Sequence, residues 1–233
     1  NKIRSNFVID EETKINIVGN ILSINEQINR TPWFQKFKLE NKMFYTKRFL
    51  EYLEIVKKLE WHSINYTNEH TDSIIDRCGN PNEDRFNKKG LVIGQVQAGK
   101  TLNYTMLVNK AADVGYKLII ILTGMTESLR KQTQERIEKD FIGWQKDGIA
   151  ETKLHLATIG ESNELHNNNI NKRPESITTQ TVDFVKAATS HIDAKNPREE
   201  PLVIVSKKNI SVLKAIFRVF YGTDHNKIKE NNN

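Results

Sequence analysis

Leu91 to Thr101 has the sequence LVIGQVQAGKT. A short apolar run, Leu91-Val92-Ile93, ends at Gly94, and after four residues comes Gly99-Lys100-Thr101. That is the spacing GxxxxGK[ST] of a phosphate-binding loop. The chemistry explains it: small residues let successive backbone N–H groups curl around a phosphate, and the loop feeds a helix N-terminus whose dipole favours anions. Gly94, Gln95, Val96, Gln97, Ala98 and Gly99 form the cradle. Lys100 would reach the β- and γ-phosphates as a point charge, and the Thr101 hydroxyl would ligate Mg²⁺. The competing explanation is a Gly-rich strand-to-helix turn that binds nothing.

Downstream the pattern supports a nucleotide domain. LNYTMLVNKAADVG continues from the loop as a helix ending at Gly115. Tyr116 to Gly124 encloses the continuous apolar run Leu118–Leu122, which predicts a central strand covered on both faces. Thr126 caps a helix predicted from Glu127 to about Lys139. A third strand is predicted at Lys153–Thr158, an Asn-rich loop at 161–173, a helix over 178–190 and a polar loop over 193–200. A fourth strand, Leu202–Ser206, precedes Lys207-Lys208-Asn209 and a helix from Ile210 to Phe220. Strands alternating with helices give an α/β domain with a mostly parallel sheet, whose ligand sits at the carboxyl ends of the strands.

Upstream, residues 1–64 read as helical. Asp10-Glu11-Glu12 offers a cap, and Ile15, Val18, Ile21, Leu22 and Ile28 follow at helix-like intervals. Phe7-Val8-Ile9-Asp10-Glu11 also resembles an apolar strand ending in acids, but it runs directly into that helical pattern. Beyond Pro32 a second helix starts near Lys42, with Phe49, Tyr52, Leu53, Val56 and Leu59 as its stripe. Residues 65–87 are polar and read as a connector, 88–222 as the nucleotide domain, and 223–233 as a polar tail. Phe86, just before the first strand, either packs or stacks on a base.

The chain carries a net charge of +6 and a pI of about 9.2. That fits a nucleic-acid partner and equally fits simple solubility. Cys78 is the single cysteine, so an internal disulfide is excluded and a reducing, cytoplasmic setting is expected. The longest apolar run, Leu118–Leu122, is too short to span a bilayer. The six histidines are scattered, without metal-ligand spacing.

The block from Gly94 to Ile137 resembles the core of the Z-one domain proteins. The marks are Gln95 and Gln97 in the loop, Lys110-Ala111-Ala112-Asp113 with Gly115-Tyr116, and Leu129-Arg130 with Gln132-Thr133 and Arg136. Val203-Ile204-Val205 with Lys207-Lys208-Asn209 and Val212-Leu213 is similar to that family's strand ending in two lysines and an asparagine. Ala98 stands where the family more often has Ser. The family comprises bacterial, helicase-like P-loop ATPases of the superfamily-two group, described as endonucleases and linked to restriction or phage defence. The resemblance implies a RecA-like sheet, ATP and Mg²⁺ as cofactors, nucleic acid (DNA foremost) as ligand, and defence proteins as partners. It also places Arg130 and Gln134, one helical turn apart, and Lys207, Lys208 and Asn209 as nucleic-acid contacts. The alternative for the helix is a solvated face with Arg130 or Arg136 paired to Glu127 or Glu135.

Neither Leu118–Leu122 nor Val203–Val205 ends in an acid to orient Mg²⁺. By the resemblance, the acidic strand and a second RecA-like lobe lie beyond residue 233. The expected function is therefore the ATP-binding part of a nucleic-acid-acting ATPase, with Lys100 and Thr101 as its catalytic contribution. The alternatives are a non-hydrolysing nucleotide switch or scaffold and, last, a small-molecule kinase.

Overall fold

A computed structural model describes residues 15–18, 21–24, 32–83, 86–93, 99–159, 173–184 and 200–221. The first elements are strands: β1 (Ile15–Val18) and β2 (Ile21–Ile24) pair antiparallel, Val18 opposite Ile21. The sequence expectation of a helix through Ile15, Val18 and Ile21 is thereby corrected. Gly19-Asn20 separates two runs of mainly β-branched and aliphatic residues, a hairpin signal that outweighs the helix-like spacing. β3 (Leu91–Val92) adds to β2, again antiparallel. The run that feeds the phosphate-loop motif thus lies outside the parallel sheet, and Leu91, Val92 and Ile93 are 55%, 40% and 37% exposed.

Three helices follow the hairpin: α1 (Phe34–Glu40), α2 (Phe44–Ile55) and α3 (Trp61–Ile75). On α2 the predicted stripe is buried at Phe49, Tyr52 and Leu53, while Leu59 lies beyond the helix end and is exposed. The first half of the expected connector, 65–75, is helix α3. Its polar residues hid a sparse inner stripe of Ile64, Thr71, Ile74 and Ile75.

These helices are fastened to α4 (Lys100–Asp113) by buried polar ties. Lys110, 1% exposed, donates to the Asp72 carboxylate and the Asn68 carbonyl on α3. Asp113 accepts from the backbone N–H groups of Tyr45 and Thr46, both at 2.8 Å, capping α2 from outside its own sequence. Asp76 does the same for α1 through Trp33 and Phe34 at 2.9 Å. Neither helix has a side-chain cap of its own, so these aspartates satisfy amides that would otherwise be orphaned. Tyr116 adds a bond to the Gly79 carbonyl at 2.6 Å.

β4 (Leu118–Thr123), β7 (Glu175–Ser176) and β8 (Leu202–Lys207) form a parallel sheet in the order β4-β8-β7. Leu118 pairs with Leu202 and Thr123 with Lys207. The central strand is β8, buried from Leu202 to Ser206. Among the described residues β4 lies at the edge, with Ile120 and Leu122 39% and 44% exposed, so its expected central place is corrected. One face of the sheet, Ile119, Ile121, Val203 and Val205, packs on α4 and on α5 (Glu127–Ile137). The other, with Leu118 and Ile204, packs on α6 (Ile210–Tyr221). The result is mixed α/β, with a three-stranded parallel sheet flanked by helices.

After α5 the helix widens into a π-helical turn, Glu138–Ile142, which leads into a hairpin of β5 (Trp144–Asp147) and β6 (Ala150–Lys153). The predicted strand at Lys153–Thr158 is instead the end of β6 and a 3₁₀ turn, His155–Thr158. Thr178–Phe184, expected as a helix start, is irregular because its polar groups serve the neighbouring α5. No helix among the described residues is long and apolar enough to cross a membrane.

Candidate functional site

Gly94, Gln95, Val96, Gln97 and Ala98 lie outside the described residues. The described end of the motif starts at Gly99, whose φ of +69° is the left-handed conformation that favours glycine. A Cβ there would meet nothing within 4 Å, so the requirement comes from the backbone alone. Gly99 offers the first-turn amides of α4 no side-chain cap, and its carbonyl accepts from Asn103 N–H at 3.0 Å. Lys100 is exposed and Thr101 half-buried, as the first two residues of the helix.

Only residues 114–117 join α4 to β4, so α4 runs back along the strand it feeds. Its C-terminal half meets the π turn that follows α5, where Asn109 donates to the Asp140 carbonyl at 3.2 Å. The Lys100–Thr101 end therefore points toward the carboxyl ends of β4 and β8. In parallel α/β sheets this is the edge where ligands bind.

Arg130 and Gln134 do share a helix face, but it is the inner one, and both are 0% exposed. Arg130 donates to the carbonyls of Thr179 and Gln180 at 2.7 and 2.8 Å and pairs with Glu127 at 2.6 Å. Gln134 donates to the Thr178 carbonyl and to Glu138, both at 2.9 Å, and accepts from the Thr178 hydroxyl at 2.8 Å. Their donors and acceptors are consumed inside the protein. Contact with a nucleic-acid backbone is corrected for both: they anchor residues 178–180 against α5.

Lys207 is also engaged, 2.7 Å from Glu127 and 3.7 Å from Asp183. The Glu127 carboxyl, bonded to Arg130 and Lys207, is pulled down to about 2, and Lys207 is raised by the same bond to Glu127. Asn209 caps α6, its side-chain oxygen accepting from Ser211 N–H at 2.8 Å. Lys208 stays exposed while its backbone N–H bonds Thr123 at 3.2 Å, fixing the strand ends in register.

Two acids stand at this edge: Glu127, whose pairing with Arg130 is the alternative expected for the helix and is observed, and Asp183, which the sequence did not single out. Glu127 bridges Arg130 and Lys207. Asp183 accepts from Ser206 Oγ at 2.7 Å, and its other oxygen is buried without a hydrogen bond. Asp183 carries no sequence signal, because it reaches β8 through tertiary packing of an irregular segment.

Compared with protein-family models, curated proteins and solved structures, the chain matches none.

Phe86 packs edge-on against Tyr116, with ring centroids 5.9 Å apart, and remains 41% exposed. A cavity of about 260 Å³ lies at the opposite, amino end of the sheet, lined by Glu138, Trp144, Lys146, Arg173 and Glu175 among others. Its cations are internally paired, Arg173 to Glu151 at 2.9 Å and Lys146 to Glu151 and Glu175 at 3.6 and 3.9 Å.

Proposed function

We propose that this chain is the ATP-binding part of a helicase-like, nucleic-acid-acting ATPase of the Z-one type, working in bacterial restriction or phage defence. The observation that carries the reading is the Gly94–Thr101 motif, whose last glycine is left-handed and whose helix begins at the carboxyl edge of a parallel sheet. The donor set suits a nucleoside triphosphate: Lys100 would hold phosphate and Thr101 a Mg²⁺ ion. Bound Mg²⁺ would neutralise phosphate charge. With Arg130 and Gln134 buried, the exposed Lys208 is the member of the predicted contact set best suited to a phosphate backbone.

Strands β4 and β8 end in Thr123 and Lys207 rather than in an acid. This favours a second reading, a non-hydrolysing nucleotide switch that recruits protein partners. Titration with a fluorescent ATP analogue and Mg²⁺ tests both. Saturable binding that Lys100→Ala reduces at least tenfold is expected, and equal binding by that variant would sink the nucleotide reading. Nucleic-acid-stimulated hydrolysis by the full-length protein favours the ATPase; nucleotide-dependent partner capture without turnover favours the switch.

A further inference from the structure

α6 has two faces of different character. Val212, Ala215, Ile216, Val219 and Phe220 pack inward with the sheet residues Leu118 and Ile204. At the 3.6-residue period, Ile210, Lys214, Phe217 and Arg218 fall on the outward face. Ile210 is 72% and Phe217 47% exposed, and Lys214 and Arg218 are both exposed. The helix contains no acidic residue, and Lys208 stands just before it. While Lys207 is tied to Glu127 and Asp183, Lys208, Lys214 and Arg218 take part in no ion pair among the described residues. An ordinary solvated helix intersperses both signs of charge. This one presents two cations, with Lys208 just ahead of it, and apolar surface beside them.

We infer that the outward face of α6 is a track for single-stranded nucleic acid, with Lys208, Lys214 and Arg218 on phosphates and the exposed surface of Ile210 and Phe217 against sugars and bases. The inference rests on the reading above that the protein acts on nucleic acid, and it names where. Charge complementarity selects a polyanion. At 1.5 Å per residue, Lys214 and Arg218 are about 6 Å apart along the helix axis, with Lys208 just ahead of the helix N-terminus. Apolar surface between cations suits a strand whose bases are accessible, as a duplex hides them. A membrane is the weaker occupant, because interfacial helices bury a broad apolar face and that of α6 is already spent on the sheet. The track lies on the face of the sheet opposite α4, so a strand bound there need not compete with nucleotide.

Fluorescence anisotropy with labelled oligo-dT, measured on the whole chain over a salt series, tests this. Lys214→Glu/Arg218→Glu should weaken binding at least tenfold, and Lys214→Gln/Arg218→Gln should flatten the log–log salt slope by roughly 1.4, the value for two phosphate contacts on a single strand. Lys36→Glu/Lys47→Glu, an equal charge change on α1 and α2, should cost markedly less. Wild-type binding with undiminished affinity in both α6 variants would overturn the track and leave the nucleic-acid reading standing. Absence of any wild-type binding, to strand or duplex, would remove that reading and the track with it. Tighter binding to a duplex of the same length, or to anionic vesicles in place of oligo-dT, would refute the single-strand assignment. Unchanged circular dichroism and melting of the variants would show that the losses are not unfolding.

Discussion

Arg130 and Gln180 lie fifty residues apart in the chain, and the guanidinium of the first donates to the carbonyl of the second at 2.8 Å. The same group bonds the Thr179 carbonyl and the Glu127 carboxylate, so Arg130 joins α5 to the irregular segment that covers the end of β8. Arg130→Ala leaves two half-buried carbonyls without this donor and Glu127 without one of its two cations. A loss of about 1–3 kcal/mol is expected, the range for acceptors left unsatisfied, because Glu127 is 41% exposed and keeps Lys207. Arg130→Lys should rescue little, as an ammonium cannot reproduce the planar fork. Urea denaturation of both variants checks this. A stability within experimental error of wild type in Arg130→Ala would show that the guanidinium anchors nothing.

α5 also shows where the sequence stopped being readable. Its buried residues are Arg130, Gln134 and Ile137, a stripe at helical spacing that is mostly polar. Hydrophobic periodicity cannot mark such a face, and charge reasoning assigned it to a ligand. β8 is the opposite case: five consecutive apolar or small residues, Leu202 to Ser206, announced a buried strand and are one. The hairpin of β1 and β2 was missed because Ile15, Val18, Ile21 and Leu22 fit a helical count as well as a strand alternation. At the site, Gly99 and the helix after it were legible from local chemistry. The Glu127–Arg130 pair was legible as the alternative for the helix, but Asp183 and the contact of both acids with Lys207 were not, since long-range packing makes them.

Lys110 and Asp72 form the tie between α4 and α3, with Asp72 also 2.8 Å from Lys38. Burial pushes the Lys110 ammonium down to about 8, against the attraction of Asp72. Asp72→Leu strands the buried Lys110 charge and should cost about 3–5 kcal/mol, while Lys110→Met should cost less, because Asp72 keeps its pair with Lys38. Replacing both with apolar residues should cost less than the sum of the singles, because no charge is left unpaired. Strict additivity in a double-mutant cycle would mean that the two groups do not interact.

Asp113 carries a pH signature. Burial raises its carboxyl from 3.8 to about 6, although the N–H groups of Tyr45 and Thr46 pull the other way. A raised folded pKa contributes stability that is fully present below 3.8 and is lost as pH rises through about 6. Asp113→Asn removes the titration and keeps one acceptor oxygen for the two amides. Its cost, on the order of 1–2 kcal/mol as for a lost helix cap, should be largest near the low end of that window and shrink toward neutral pH. Denaturation at several pH values across the window measures it, and a cost that grows with pH would reverse the assignment.

Gly79 and Phe86 are in contact that leaves no space for a side chain on the glycine. A Cβ at position 79 would fall 2.1 Å from Phe86 Cδ2 and 2.7 Å from Phe86 Cβ. The second distance matters more, because moving a Cβ requires moving backbone, not just turning a ring. Gly79→Ala should therefore destabilise by about 1–3 kcal/mol, the usual range for overpacking. Phe86→Ala alone should cost less than full burial of a Phe would suggest, since the ring is 41% exposed. Combining Gly79→Ala with Phe86→Ala should recover only part of the first loss, because alanine removes the ring and keeps the Cβ 2.7 Å away. Thermal melts of the two single variants and the double decide the point: a double variant less stable than either single would show that the strain at position 79 comes from somewhere other than Phe86.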